Sequence, residues 1–493
     1  MKEVDYKMLL KNKMGPDNSI TRKARLVARG FTQRPGVDYN ETYAPVAKLS
    51  SIRSVIGIAI EEGLKLNQMD VTTAYLNGEL DENIVMKYPN FLEDYLQEIL
   101  IEESKEEDLT LYNKTKNMLK DIKNNPREKV CHLIKALYGL KQAGRQWYKK
   151  LDTELKRIGF KASEADPCIY LLEKRGVKVI LVIYVDDLLI AYSCPRKLQE
   201  IKNLLSTKFE IKDLGIPKRL IGIDITYKKD EIKLNQEKFI DDTLKRFKME
   251  DCKSVSTPIE PGLILEKGLK DERKDLPYKN LIGTLMYIAV ATRPDIMFAI
   301  SYLSQFNDCY GEEHFKQLKR VLRYLKGTKN IGLIFKRCEE DLYGMADADW
   351  GACKLDRKSF SGYCFKFAGT AISWMAKKQR SVALSTAEAE YVALTEAAKE
   401  AIHLKNLFKD LGADYDRLII LNDNQAALKL SQNEMVTSKS KHIDLKVHFI
   451  RNCIQEGILE VKYLRTEDME ADLLTKALTG PRLSKLRSSL GLL

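Results

Sequence analysis

The run from Val177 to Ala191 constrains the fold of this chain more than any other stretch. Two adjacent carboxylates, Asp186 and Asp187, sit inside β-branched and aliphatic sequence in which Lys178 is the nearest basic residue. An ionised carboxylate is costly to bury unless it is paired, protonated or bound to a cation. Two readings meet that demand. In one, Asp is a turn residue and the run divides into two short apolar strands about Val185-Asp186-Asp187. In the other, the pair holds divalent cations, with a third carboxylate arriving from elsewhere. The two are compatible, because a hairpin tip is a rigid platform for metal ligands.

At 493 residues the chain has room for about three domains of ~150 residues each. Lys and Arg outnumber Asp and Glu by 82 to 70, and the net charge of +12 favours a polyanionic partner over an acidic substrate. The nine cysteines include no C-x-x-C pair, and with five scattered histidines they offer no zinc-ligand spacing. Free thiols in a reducing compartment are expected. The N-terminus lacks the apolar core of a signal peptide, and no run approaches the ~18 residues that span a bilayer. A soluble, intracellular and cytoplasmic protein without membrane partners is therefore expected.

Residues 1–50 are polar and basic around Arg22, Lys23, Arg25 and Arg29. A strand from Arg25 to Ala28 would either line up cations for phosphate or form a solvated edge with protective charges. Ser50 or Ser51 is expected to cap a helix through Ile52, Val55, Ile56 and Ile60 ending near Gly63, and a short strand then ends at Asp70. Residues 91–129 open with an acidic block from Glu93 to Asp108 and continue lysine-rich, which reads as a surface insertion of two short helices. From Trp147, the positions Leu151, Leu155 and Ile158 keep helical spacing up to Gly159. Thr257-Pro258 and Pro261-Gly262 mark a boundary. A helix from His314 to Lys326 carries Phe315, Leu318, Leu322 and Leu325 on one face. Its other face holds Lys316, Lys319, Arg320, Arg323 and Lys326, either a stripe for a phosphate backbone or an ordinary solvated face.

A last domain runs from about Leu342 to Leu478. A strand from Leu342 to Ala346 leads to Asp347, and another from Leu418 to Asn422 leads to Asp423. In the long helix between them, Glu390, Leu394, Ala397, Ala401, Leu404, Phe408 and Leu411 share one stripe, which places Glu390 on the buried face. A strand from Leu459 to Leu464 leads through a Thr466 cap to a helix carrying Asp472. Carboxylates at strand ends and in opening helical turns point to a metal site rather than a solvated surface. Two sets result: Asp70, Asp186 and Asp187, then Asp347, Glu390, Asp423 and Asp472. Oxygen-only ligands suit two Mg²⁺ ions per site, with Mn²⁺ as a substitute, performing phosphoryl transfer.

Tyr184-Val185-Asp186-Asp187 resembles the Tyr-x-Asp-Asp box of reverse transcriptases, and the context narrows the resemblance to the Pol polyprotein of copia-type LTR retrotransposons. Lys23-Ala24-Arg25-Leu26-Val27-Ala28-Arg29-Gly30-Phe31-Thr32-Gln33 is similar to that family's fingers motif. Gln68-Met69-Asp70-Val71-Thr72-Thr73-Ala74-Tyr75 and Leu137-Tyr138-Gly139-Leu140-Lys141-Gln142-Ala143 are similar to its palm motifs. Ala291-Thr292-Arg293-Pro294-Asp295-Ile296 resembles a signature of the connecting region. Asp347-Ala348-Asp349-Trp350, Ser385-Thr386-Ala387-Glu388-Ala389-Glu390-Tyr391, Asp423-Asn424-Gln425, Lys441-His442-Ile443-Asp444 and Ala471-Asp472-Leu473-Leu474-Thr475-Lys476 resemble its ribonuclease H. The motifs follow the family order from about residue 20 to 478.

The resemblance implies an α/β fold: fingers, palm and thumb over residues 1–255, with 91–129 as a charged insertion, a thumb and connection region at 256–340, a ribonuclease H-like domain at 341–480 and a tail at 481–493. It implies an RNA-directed DNA polymerase with an RNA template, a DNA primer and dNTPs, and a nuclease acting on the RNA/DNA hybrid. Asp70, Asp186 and Asp187 would hold the polymerase metals, and Asp347, Glu390, Asp423 and Asp472 the nuclease metals. Tyr75 would sit beneath the incoming sugar, Gln142 would contact nucleotide or template, and Lys23 and Arg25 would face the triphosphate. Ser385 and Glu388 fit a capping box, which leaves Glu390 for metal, and the strand-end position favours Asp347 over Asp349. The short segment before Asp5, the long insertion and the missing loop histidine before Asp472 depart from the family pattern. With no recognisable protease, integrase or zinc-knuckle segment, the chain reads as the C-terminal portion of a polyprotein, made in a virus-like particle in intact members, or as a truncated copy. The rival reading is a decayed remnant that binds nucleic acid without catalysis.

Overall fold

The computed structural model describes residues 3–14, 20–104, 109–124, 130–268, 276–432 and 444–493. The motif residues Lys441, His442 and Ile443 lie outside them. The α/β class expected from the sequence is the one adopted: helices cover two large sheets, and smaller sheets flank them.

The apolar run with the Asp pair forms the strands Val177–Tyr184 and Asp187–Tyr192 at the centre of a six-stranded antiparallel sheet. Their neighbours are Ile169–Lys174 on one side and Lys65–Val71, then Ile211–Gly215, on the other. Val179 to Val182 and Leu188 to Ala191 are all buried, which is why the run is continuously apolar rather than alternating. The helices Leu49–Glu61, Ala143–Ile158 and Pro195–Ser206 each bury an apolar stripe in the same core. Each fully buried Leu or Ile contributes roughly 1.5–3 kcal/mol. The first of these helices begins two or three residues earlier than expected, with Lys48 as its N-cap. Ser51 lies inside its opening turn and donates to the buried Asp166 at 2.7 Å.

The basic N-terminal segment forms an antiparallel hairpin, Tyr6–Met14 with Ile20–Ala28. It is tied at its base, where Ala28 N–H donates to Tyr138 O at 2.7 Å and Arg29 N–H to Asp5 O at 2.8 Å. Two glycines permit that approach. A Cβ on Gly30 would lie 2.0 Å from Gly139 O, and one on Gly139, at φ +92°, would lie 2.0 Å from Ala28 O. The insertion contains the helices Leu92–Glu103 and Thr110–Asn124, packed on each other.

A four-stranded sheet (Arg219–Leu220, Ile223–Lys228, Glu231–Asn235, Leu333–Lys336) and the helices Glu237–Arg246, Tyr278–Ala291, Met297–Ser304 and Glu312–Gly327 follow. The basic face of the last helix is largely occupied by the chain itself. Arg320 binds Glu260 and Thr257, Arg323 donates to Lys253 O, and Lys326 donates to Cys252 O. The connecting signature is an internal lock. Arg293 and Asp295 form an ion pair with no exposed side-chain area, closed by Tyr324, Thr328 and, through Tyr324, Arg487.

The C-terminal half is a five-stranded mixed sheet. Tyr343–Asp349 runs antiparallel to Phe360–Phe367 and parallel to Leu418–Asn422, which is parallel to Leu459–Tyr463; Thr370–Lys378 forms the opposite edge. The helix Thr386–Asp410 crosses one face. After the helix Gly480–Ser489, Gly491 and Leu493 bond the backbone of Ile334 and Gly332, joining this half to the four-stranded sheet. Among the described residues no helix is long and apolar enough to cross a membrane.

Candidate active sites

The first cluster is set by strand register. Asp70 pairs directly across from Asp187, and Tyr184 pairs with Asp187, so a two-residue turn of Val185 and Asp186 projects beyond the sheet. Val185 has φ +60°, whereas Asp186 is not in the positive region. Those φ signs match a type II′ turn, and a positive φ is unusual for a β-branched residue. Val71 N–H donates to Asp186 O at 2.9 Å, and Asp187 accepts from Gln68 Nε2 at 3.0 Å. Burial raises Asp186, with Asp70 adding to it. Burial likewise raises Asp187, and the charges of Asp186 and Asp70 reinforce the shift.

Asp70 and Asp186 face a cleft of about 460 Å³ whose other walls include Arg22, Lys23 and Arg25 of the hairpin, Thr72, Thr73, Tyr138 and Lys212. Arg25 lies 5.3 Å over the Tyr138 ring, whose centroid is 5.1 Å from that of Tyr75. Tyr75 is half-buried in the single turn Ala74–Asn77, with its hydroxyl pKa raised by burial and by Asp186. Gln142 is placed differently from the rest. Fully buried, it accepts from Gln33 Nε2 at 3.1 Å and donates to Asp38 O at 3.0 Å and Glu82 at 3.2 Å, so its amide holds the 33–38 loop.

The second cluster gathers Asp347, Glu390 and Asp423, whose ligand oxygens all lie within 4.8 Å of one another. Among the described residues no other such group occurs. Asp347 is fully buried in the central strand, Glu390 lies in the first turns of the helix Thr386–Asp410, and Asp423 follows the strand Leu418–Asn422. Burial raises Asp347 to about 6, against the pull of Lys476. Glu390 is raised to about 9 by burial and the charge of Asp347, although Asn422 Nδ2 donates to it at 3.1 Å. Desolvated, mutually repelling carboxylates with oxygen donors alone are a set that a hard divalent cation fits.

Asp472 stands apart from the three. It lies in a 3₁₀ turn, Glu470–Leu474, rather than in the expected α-helix, and its carboxylate is clamped by Lys476 at 2.7 Å and Arg482 at 2.5 Å. Lys476 also reaches Asp347 at 3.2 Å. Thr466 caps no helix; its hydroxyl donates to Asp423 at 2.7 Å. Glu388 is occupied by backbone: its N–H donates to Ser385 Oγ at 3.2 Å and its carboxylate accepts from Leu384 N–H at 2.6 Å. Asp349 is half-buried on the same strand and lies outside the group of three.

The family model for reverse transcriptase (RNA-dependent DNA polymerase) matches residues 1–105 and 106–261. The chain belongs to this family. It is 38% identical over 481 residues, 95% of its length, to the retrovirus-related Pol polyprotein from transposon TNT 1-94 of Nicotiana tabacum, covering 34% of that protein. It is 37% identical over 493 residues to the corresponding polyprotein from transposon RE1 of Arabidopsis thaliana, covering 32%. These are copia-type elements, as the motifs imply. The chain thus spans about a third of the length of the curated relatives it matches. A foamy viral protease-reverse transcriptase dRH in complex with double-stranded DNA aligns over 93% of this chain and 67% of that one, at 11% identity and a TM-score of 0.49.

Sequence reasoning passed over Tyr138, Lys212 and Lys476. Tyr138 and Lys476 lie inside the recognised motifs, where a tyrosine near the basic hairpin segment and a cation four residues after Asp472 were available signals. Lys212 lies on a five-residue edge strand of weak β composition, and only its pairing opposite Asp70 brings it to the cleft.

Proposed function

We propose that the chain is the polymerase and nuclease portion of a copia-type Pol polyprotein, an RNA-directed DNA polymerase that also degrades the RNA strand of the hybrid it makes. The observation that carries the reading is the opposition of Asp70 and Asp187 on paired strands, with Asp186 on the turn above, at a cleft walled by Arg22, Lys23 and Arg25. Carboxylates on one wall and cations on the other suit a nucleoside triphosphate meeting a primer end.

In this reading Lys23 and Arg25 hold the triphosphate. Tyr75, backed by Tyr138, lies beneath the sugar and excludes a 2′-hydroxyl. The primer 3′-hydroxyl, held at the Asp70, Asp186 and Asp187 floor, attacks the α-phosphate in line and pyrophosphate leaves. At the second site Asp347, Glu390 and Asp423 face the scissile phosphate of the RNA strand, with water as the nucleophile and Asp472 held at the margin by Lys476 and Arg482. Two divalent cations at each carboxylate set, Mg²⁺ or in its place Mn²⁺, would stabilise the attacking and leaving oxygens. The partners are an RNA template, a DNA primer, dNTPs, the RNA/DNA hybrid and the remaining parts of the polyprotein, all within the cell.

Primer extension on an RNA template tests the polymerase claim. Wild type is expected to incorporate dNTPs in Mg²⁺, and Asp186→Asn to lose more than about a hundredfold in rate. Salt-sensitive hybrid binding without turnover in either protein would instead favour a remnant that only binds nucleic acid.

A further inference from the structure

The turn that presents Asp186 has a competitor. Types II′ and I′ share a positive φ at the first central residue and differ by rotation of the peptide joining the two central residues. Here that peptide links Val185 to Asp186, and its orientation is marked by the Val185 carbonyl. Rotating it would move Asp186 into the positive-φ region and swing its side chain away from Asp70. A β-branched residue at φ +60° is strained, so the surroundings must hold this state.

The Val185 carbonyl has a dedicated partner. Trp147 Nε1–H donates to it at 2.6 Å. The indole is only 2% exposed and packs edge-on against Phe209, with ring centroids 5.2 Å apart. It lies one turn into the helix Ala143–Ile158, whose N-cap is Gln142, so a rigid element fixes the donor. A tryptophan that only filled the core would place its N–H at any nearby acceptor; this one reaches the carbonyl whose direction distinguishes the two turns.

Resting on the polymerase reading above, we propose that Trp147 is a positioning residue of the polymerase site, its indole N–H locking the Val185-Asp186 peptide in the orientation that keeps Asp186 beside Asp70. Trp147 touches no substrate. It acts through the turn, and removal of its N–H weakens cation binding there while leaving the nuclease site untouched.

Trp147→Phe keeps an aromatic ring against Phe209 and removes the donor. Loss of one such bond is expected to lower kcat for primer extension about tenfold and raise the Mg²⁺ concentration for half-maximal extension about fivefold, with the dNTP KM and hybrid cleavage within about twofold of wild type. Binding is read without turnover by Mn²⁺ titration followed by electron paramagnetic resonance in a Glu390→Gln background, where the polymerase-site affinity is expected to fall by a similar factor. Should Trp147→Phe fold poorly, shown by loss of hybrid cleavage, site-specific β-(3-benzothienyl)alanine at 147 keeps the bicyclic shape and exchanges N–H for sulfur. It is expected to give the same shifts. Phe209→Leu, which loosens packing but retains the N–H, is expected to lower Tm without moving the Mg²⁺ requirement.

Unchanged Mg²⁺ and Mn²⁺ dependence in the N–H-less proteins would overturn the proposal, as would an equal shift in Phe209→Leu. A wild-type chain without primer extension would fail one level lower, removing the polymerase reading itself.

Discussion

Glu390 is held where its own charge is disfavoured, and that has consequences for stability as well as for catalysis. Its carboxyl is raised to about 9 and that of Asp347 to about 6, both above the unfolded range. A group with a raised folded pKa stabilises below its unfolded pKa and loses that contribution as pH climbs through the folded value. The metal-free chain is therefore expected to lose stability from about pH 4 to pH 9 through these two residues. Glu390→Gln removes the upper part of that loss. Thermal melts in chelator at pH 8 should show this variant melting several degrees above wild type, while hybrid cleavage is abolished. A lower Tm would contradict the assignment. The position of Glu390 was legible because one helical stripe runs from it to Leu411. The burial of Gln142 was not, since its partners Gln33, Asp38 and Glu82 lie far along the chain.

At the scale of elements, the sheet around the Asp pair could be read from its continuous apolar run, because a strand covered on both faces needs no alternation. Short elements were harder. Ile211–Gly215 has too few residues for a period, and the segment holding Asp472 is a five-residue 3₁₀ turn in which Thr466, bonded to Asp423, plays no capping part. The junction of the basic hairpin is the element whose disturbance should be most informative. Gly139→Ala would force a side chain into a left-handed residue and against Ala28 O. The hairpin carrying Lys23 and Arg25 is expected to shift, raising the dNTP KM by about tenfold with little change in hybrid cleavage. Steady-state kinetics of both reactions on one preparation would check this, and equal losses in both would point to misfolding.

Across the whole molecule, the two halves are joined by buried polar contacts that no local pattern announces. Arg53, in the helix Leu49–Glu61, donates to Ile372 O at 2.6 Å and to Val290 O and Ala291 O at 2.9 Å, with its guanidinium 3.9 Å above the Trp374 ring. Burial lowers its pKa to about 9, against the attraction of Glu400. Asp410 accepts from Ser163 Oγ at 2.6 Å and from the N–H groups of Glu164 and Ala165. An arginine inside an apolar stripe resembles a patterning error in sequence and makes sense only once the edge strand Thr370–Lys378 lies over it. Arg53→Met would strand three carbonyls at a cost of at least about 3 kcal/mol. Calorimetry is expected to show the transition splitting as the halves uncouple, whereas an unchanged single transition would refute the coupling.

The central claim is that one chain carries two separate carboxylate sites with two chemistries. Its most direct test is to measure primer extension and hybrid cleavage side by side on wild type, Asp186→Asn and Glu390→Gln. The expected result is a double dissociation, with Asp186→Asn losing extension but retaining cleavage and Glu390→Gln the reverse. Loss of both activities in either variant, or of neither in both, would contradict it.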